Sequence, residues 1–453
     1  MELGFETIGN ATVIAHDGGP VVVTDPWLVG SAYFGSWGMS HQVPEEQLQN
    51  AKRCPYVWIS HGHPDHLSGD TLAQMKDKKI LVGDHVGSRI YNDLKQQGFD
   101  VQVLKDRTWT QLSPRIRVWC AVDFNQDSIL LLDIGGKLVA NLNDAGDRGW
   151  GRDVKKLIAS YPISFLLALS GYGDADMINF FAEDGQPIPP PAANRTPVGQ
   201  TIARMTENWG ARFFVPSSSM HRYQRADSVW AAKYTTHLTD YRRGFASSKC
   251  ELLPAFIRYD CLKDAVECIN PPESDGRVFA PEEFGDHWDE RLEKEDREKL
   301  TAYFQAVEQL GRRLDFVRFK VGGEEHVVPL RRPDASRGGY KKGVTFEAPR
   351  NSLMTAVQYE IFDDLLIGNF MKTTLHGEWG EGMLYPDFSP WIAKYADNGR
   401  AKTRAELRSY FKEYRQRDPV GYMRANFQSG FLLPLQDRSA KFLRSRLGAN
   451  SKL

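Results

Sequence analysis

Three imidazoles and a carboxylate fall within six residues at His61-Gly62-His63-Pro64-Asp65-His66, and side chains of those types at that spacing suit the binding of metal. They follow the apolar run Tyr56-Val57-Trp58-Ile59-Ser60, which reads as a strand. A strand sends alternate side chains to opposite faces, so at its end His61 and His63 can point the same way and chelate one ion. Asp65 and His66, one step further round the turn, then face a second ion. Neutral imidazole and carboxylate suit zinc, iron or manganese. Any one of these histidines alone would read as a solvated loop residue, but the group at this spacing does not.

The H-x-H-x-D-H pattern resembles the signature of the metallo-β-lactamase superfamily, which implies an αββα sandwich. Upstream, Val21-Val22-Val23-Thr24-Asp25-Pro26-Trp27 looks like that superfamily's early strand, and the resemblance implies that Asp25 braces the metal loop without binding metal. It further implies ligands at later strand ends: a His, a bridging Asp and a final His. Lys137-Leu138-Val139-Ala140-Asn141-Leu142-Asn143-Asp144, after the Gly135-Gly136 turn, reads as a buried strand ending in an acid, and Asp144 is the expected bridge. Phe213-Phe214-Val215-Pro216 opens into a polar loop ending at His221, the expected final ligand, with a bystander histidine as the alternative. For the intermediate His, His85 comes one strand too early. The strand end Val118-Trp119-Cys120-Ala121-Val122-Asp123 carries a carboxylate there, so Asp123 is expected to replace the imidazole, the alternative being a turn residue at an ion with fewer protein ligands. The expected sets are His61, His63, Asp123 and Asp144 for one ion and Asp65, His66, Asp144 and His221 for the other, with Asp65 and His221 as catalytic residues. A carboxylate in place of imidazole favours iron or manganese over zinc.

A closer resemblance lies in Glu2-Leu3-Gly4-Phe5-Glu6-Thr7-Ile8-Gly9-Asn10-Ala11-Thr12, Thr24-Asp25-Pro26-Trp27-Leu28, Asn141-Leu142-Asn143-Asp144 and Asn351-Ser352-Leu353-Met354-Thr355-Ala356-Val357. These segments look like the catalytic part of the CMP-N-acetylneuraminate hydroxylases. That family joins an amino-terminal Rieske iron–sulfur domain to a metallo-β-lactamase-like domain. Here the sequence opens on its first strand and has no paired Cys-x-His motif, so the expected electron source is an external donor such as a ferredoxin. The resemblance implies oxygenase ancestry more than a sialic acid substrate. The expected activity is that of a di-iron oxygenase or hydroxylase with two metal ions, acting on a small polar or anionic metabolite. The alternative is a zinc- or manganese-dependent hydrolase of an ester, lactone or phosphodiester, since the same ligands would acidify a bound water. Arg222, Tyr223 and Arg225 are candidates to hold an anionic group, since Arg pairs bidentately with carboxylate or phosphate; surface charge is the alternative.

The elements that must position these groups follow two patterns. Residues 1–250 alternate β-rich runs with amphipathic stretches such as Ser68 to Lys76 and Gly87 to Gln97, an α/β catalytic domain. Gln186-Pro187-Ile188-Pro189-Pro190-Pro191 reads as an extended loop, either bordering the site mouth or serving as a linker. Residues 251–453 form an α+β extension: a charged helical stretch from Phe284 to Leu314, strand-like runs at 316–321, 325–330 and 344–347, the apolar run Leu365 to Phe370, and helices from about Thr403. The outline weakly resembles a sterol-carrier-like module, with a packing or dimerisation domain as the alternative. The basic stretch from Arg331 to Lys342 reads as a solvated loop, with anion binding as the alternative.

Composition bounds the partners. A chain of 453 residues and formal net charge −1 allows two or three domains and gives no electrostatic steering towards nucleic acid or a membrane surface. No apolar run approaches the roughly 20 residues of a transmembrane helix, and the amino terminus lacks a signal peptide's pattern. The 5 cysteines are scattered and odd in number, which suggests free thiols, a reducing compartment and hence a cytoplasmic location.

Overall fold

The computed structural model describes residues 1–173, 177–194, 196–331 and 341–427. Two β-sheets packed face to face form its larger part. The first runs, in spatial order, Ala265–Cys268, Ile257–Asp260, Leu3–Gly9, Thr12–Asp17, Pro20–Thr24, Tyr56–Ile59, Lys79–Gly83 and Asp100–Leu104. Its last four strands are parallel to one another, joined through the helices Glu45–Arg53, Gly69–Ala73 and Arg89–Gln96. The second sheet runs Glu251–Leu252, Phe213–Phe214, Ser164–Ala168, Lys137–Asn143, Ser128–Ile134, Ile116–Val122 and Trp109–Ser113.

The near-continuous apolar runs in these strands follow from burial on both faces. Phe5, Val13, Trp58 and Leu81 of the first sheet meet Val118, Leu130, Val139 and Phe165 of the second in one core. On the outer face of the first sheet, Val57, Ile59, Ile80 and Val82 pack with Leu72 and Leu94 of the helices. On the other side, Ile129, Leu131, Leu138 and Leu166 pack with Val154 of Gly151–Ala159 and Ile202 of Val198–Trp209. The result is an αββα sandwich, with the candidate ligands at strand ends along one edge.

A five-stranded sheet forms the centre of the α+β part, in the order Asn179–Phe181, Lys372–His376, Gly343–Glu347, Phe316–Val321 and Glu324–Pro329. Helices Lys294–Gln305, Arg350–Tyr359 and Phe362–Ile367 cover it, and Phe304, Phe319, Phe346, Phe362 and Phe388 fill the space between. The division at residue 250 does not match the packing. Ile257–Asp260 and Ala265–Cys268 complete the first sheet of the sandwich, whereas Asn179–Phe181 pairs in parallel with Lys372–His376. The proline-rich stretch follows that strand back: Ile188 N donates to Phe180 O at 2.8 Å, so it hairpins onto the α+β sheet. The apolar run from Leu365 is helical for its first three residues, which face the core of the α+β part or its border with the sandwich. The basic stretch falls largely outside the described residues.

The chain then returns to the sandwich. A π-helical segment, Pro390–Asn398, leads to helices Arg404–Arg417 and Pro419–Phe427, and Tyr395, Leu407, Tyr410 and Tyr414 join the core between the two sheets. Among the described residues no helix is long and apolar enough to cross a membrane. All five cysteines are free thiols.

Candidate metal centre

The site begins at Asp25, just past the strand Pro20–Thr24, with its backbone in the left-handed region (φ +41°) and its side chain fully buried. Asp and Asn tolerate that conformation better than other non-glycine residues. One carboxylate oxygen accepts from Ser60 N and the other from Ser60 Oγ, each at 2.7 Å, and the second also faces His66 Nδ1 at 2.9 Å. This network sets the tautomers. Ser60 Oγ gives its proton to Asp25, so it must accept from His61 Nδ1, 2.8 Å away. The lone pair of His61 Nε2 is therefore turned outward. His66 likewise spends Nδ1 on Asp25 and presents Nε2 to Asp65 and Asp144, each at 3.5 Å.

Around these two rings the other ligand-type groups converge. His61 Nε2 lies 2.9 Å from His63 Nδ1 and 4.0 Å from Asp144 Oδ2. Ligand atoms of His61, His63 and Asp144 all lie within 4.8 Å of one another. Asp144 leaves the strand Lys137–Asn143 through Asn143, itself left-handed at φ +41°, with Asn143 Oδ1 accepting from Asp144 N at 2.7 Å. Asp65 is held by Tyr33 Oη at 2.6 Å and Asn10 Nδ2 at 3.3 Å, and the other nitrogen of His63 faces Asp363 Oδ2 at 3.1 Å.

Electrostatics test whether a cation fits. Burial alone would depress the pKa of His66, but the charges of Asp65, Asp144 and Asp25 raise it well above the ordinary range. Burial likewise works against His63, yet Asp363 lifts it to about 9. Burial and the neighbouring His66 and His63 push His61 well below its usual value. Without metal, the carboxylates are therefore balanced by protons on two imidazoles. A metal ion replaces those protons with charge of the same sign, which is the exchange that ligand deprotonation requires. The donor set fits a metal.

Several expected residues stand elsewhere. Asp123 turns away: its Oδ1 accepts from Asn125 N at 2.8 Å and its Oδ2 faces Trp150 Nε1 at 3.4 Å. Burial raises its pKa to about 7, with the nearby Asp127 charge acting in the same direction. Asp127, at the far end of the same turn, instead lines a cavity of about 40 Å³ with His61 and His63. Asp144 is the carboxylate grouped with the two histidines, Asp127 borders the same cavity, and Asp123 is spent on closing the turn. His85 is buried in the strand exit behind Gly83, outside the group of converging ligands.

His221 is also placed differently. It pairs with Met39 in a two-stranded ribbon, its ring stacked on Trp37 at 3.6 Å between centroids, and its Nε2 faces the Gly173 carbonyl at 3.1 Å. Burial lowers its pKa to about 3. Trp37 in turn meets Tyr33, the residue that holds Asp65, so His221 supports an aromatic wall beside the site. Arg222 donates to Arg277 O at 2.8 Å and Tyr223 to Gly173 O at 2.5 Å. Arg225 is fully buried, 2.6 Å from Asp286 and 2.8 Å from Asp227, so it has no free charge for a ligand. Asn10, Tyr33, Asp127, Asp363 and Lys394 were not expected from sequence. Asp127 alone had a local signal, as an acid opening the apolar run Ser128 to Leu132.

No family model matches the chain. It is 24% identical to the cytidine monophosphate-N-acetylneuraminic acid hydroxylase of Sus scrofa over 201 residues, 42% of this chain and 40% of that protein. It is 28% identical to the enzyme of the same name from Asterias rubens over 142 residues, 29% of this chain and 22% of that one. The chain resembles these hydroxylases in part. The matches span less than half the length of either relative. Among solved structures, Igni18, a metallo hydrolase from Ignicoccus hospitalis, aligns with TM-score 0.36 and 17% identity over 59% of this chain and 99% of that one. CmlA, a diiron β-hydroxylase from Streptomyces venezuelae, aligns with TM-score 0.31 and 20% identity over 39% of this chain and 35% of that one.

Proposed function

We propose that the chain is a metal-dependent enzyme, and within that class an oxygenase or hydroxylase acting on a small polar or anionic metabolite. His61, His63, Asp127 and Asp144 would hold one ion, and Asp65, His66 and Asp144 would contribute to a second. Iron is the proposed metal. The observation that carries this reading is the carboxylate-rich, sulfur-free donor set, in which Asp127 borders the cavity beside two histidines. The partial sequence likeness to hydroxylases supports the same choice.

Bound reduced iron would supply electrons for oxygen activation, and an external donor such as a ferredoxin would restore them. The chain's own groups do the remainder. Asp25 and Ser60 fix which nitrogens of His61 and His66 face inward. Tyr33 and Asn10 hold the Asp65 carboxylate, and the wall of Tyr33, Trp37 and His221 shields one side from water. Asp144 is the more exposed carboxylate and lies on the side a substrate would approach.

Metal analysis of anaerobically purified protein, followed by reduction and exposure to oxygen, tests the proposal. The expected result is about two metal ions per chain, with oxygen consumed only by the reduced iron form. An inert iron form beside a zinc form that briskly hydrolyses esters or phosphodiesters would replace it with the hydrolase reading.

A further inference from the structure

The cavity beside His61 and His63 is closed on its far side by the return segment of the chain. Asp363, Lys394 and Asn398 line it together with Gly62, Arg89, Ile90, Asn125, Gln126 and Asp127. Lys394 lies on the π-helical segment Pro390–Asn398, and such segments, rare in proteins, recur at functional sites because the widened turn re-aims side chains. Its flanking residues Ile392, Ala393, Tyr395 and Ala396 are buried, which fixes the segment and leaves the half-buried Lys394 facing the cavity.

Arg148 also bears on Asp123 and Asp127 but lies over the Phe124 ring and is not among the residues that line the cavity, and three other arginines are committed elsewhere. Arg225 is buried against Asp227 and Asp286, Arg222 bonds Arg277 O, and Arg89 donates to Asn398 Oδ1 at 2.7 Å and to Tyr359 O at 2.8 Å. Lys394 has no carboxylate within 4.0 Å and no hydrogen bond to its ammonium among the described residues. Its charge nevertheless reaches the site, bearing on His61, Asp123 and Asp127. A lysine in such a position is a compact point charge with three unused donors, suited to an oxyanion. At about 40 Å³ the cavity is too small for a whole metabolite and admits only the terminal oxygens of a carboxylate or phosphate group.

We propose that Lys394 is the substrate-anchoring residue of this site, holding an oxygen of a carboxylate or phosphate group at the Lys394 side of the cavity, across from the ion that His61, His63, Asp127 and Asp144 would hold, while the rest of the molecule extends towards Asp144. This deepens the reading of the site as a metal centre and rests on it for the identity of the bound molecule as substrate. The sandwich then supplies the chemistry and the return segment supplies specificity. The ion pairing expected of Arg222 and Arg225 belongs instead to a residue about 170 positions later in the chain.

Calorimetric titration of the metal-free protein with inorganic phosphate, and separately with acetate, tests the proposal without activity or metal. Metal content after reloading is measured in parallel. The wild-type chain is expected to bind at least one of the two anions at a single site; phosphate alone or acetate alone would identify which group the site prefers. Lys394→Met should weaken that binding at least tenfold, equivalent to about 1.4 kcal/mol, and Lys394→Arg should restore most of it, with metal uptake unchanged in both. Lys412→Met, on an exposed helix face away from the cavity, should leave binding as in the wild type. No saturable binding of either anion to the wild type, or equal affinity in Lys394→Met, would overturn the proposal and leave Lys394 as a counter-charge to Asp123 and Asp127. Loss of metal uptake by the wild type would instead count against the metal-centre reading, whatever the anion results.

Discussion

At the residue scale, the site turns on which carboxylate of one turn faces the histidines. Asp123 and Asp127 close the same turn, with Asp123 N donating to Asp127 O at 3.1 Å, but only Asp127 reaches the cavity. Asp127→Asn should therefore lower metal affinity by one to two orders of magnitude, whereas Asp123→Asn should leave it near the wild-type value and cost stability alone. Metal titration of both variants checks this, and the reverse order would restore Asp123 as the ligand. The difference explains what sequence could reveal. His61, His63, Asp65 and His66 were legible because their spacing is local and a strand end fixes their directions. Asp144 was legible as an acid closing an apolar strand. The choice between Asp123 and Asp127 was not, because both flank one turn and only the Trp150 and Asn125 contacts decide which is consumed. Asp363 and Lys394 had no local signal, since they reach the site only by tertiary packing.

At the scale of elements, one buried acid joins three pieces of the sandwich. Glu6, on the strand Leu3–Gly9, accepts from Gln47 and Asn50 of the helix Glu45–Arg53 at 3.1 and 3.0 Å and from Arg258 of the strand Ile257–Asp260 at 2.9 Å; its Oε2 lies 3.0 Å from His16. Burial opposes its ionisation, yet the bonds from His16, Gln47 and Arg258 outweigh burial and lower its pKa from 4.5 to about 2. A depressed folded-state pKa stabilises the fold above the unfolded value, and the contribution disappears as pH falls through the folded one. Glu6→Gln should thus cost about 2–3 kcal/mol at pH 7. The gap to wild type should narrow below pH 4.5 and close near pH 2. Denaturant unfolding across that range is the measurement, and a gap that widened on acidification would refute the assignment. Alternation and apolar runs revealed the α/β layering, but not that the strands Ile257–Asp260 and Ala265–Cys268 return to the first sheet. Such long-range pairing leaves no mark on periodicity.

At the scale of the whole molecule, the α+β part is built into the sandwich and its candidate metal centre rather than appended to them. It receives the strand Asn179–Phe181 and supplies Asp363 behind His63, while the helices that follow it return to the sandwich core. The strongest joint is Arg225, whose guanidinium meets Asp286 at 2.6 Å, Asp227 at 2.8 Å and Phe34 O at 3.0 Å, and stacks 3.8 Å over Phe370. Asp286 in turn accepts from Ser352 N and Oγ at 2.9 and 2.5 Å, so one arginine ties the loop after the early strands to the helix Arg350–Tyr359. Removing one partner of a buried pair leaves the other charge desolvated and uncompensated, at a cost of about 3–5 kcal/mol. Arg225→Met should show that loss in denaturant unfolding. Arg225→Met with Asp286→Asn should lose less than the two single losses combined, because the fully buried Asp286 charge goes with its partner and only the partly exposed Asp227 is left unpaired. In the folded fraction of either variant, anion binding at the Lys394 cavity should match the wild type, since Arg225 has no free donor to offer it. Strict additivity of the two substitutions, or weakened anion binding with stability unchanged, would return Arg225 to the role first expected of it, that of a ligand-binding cation.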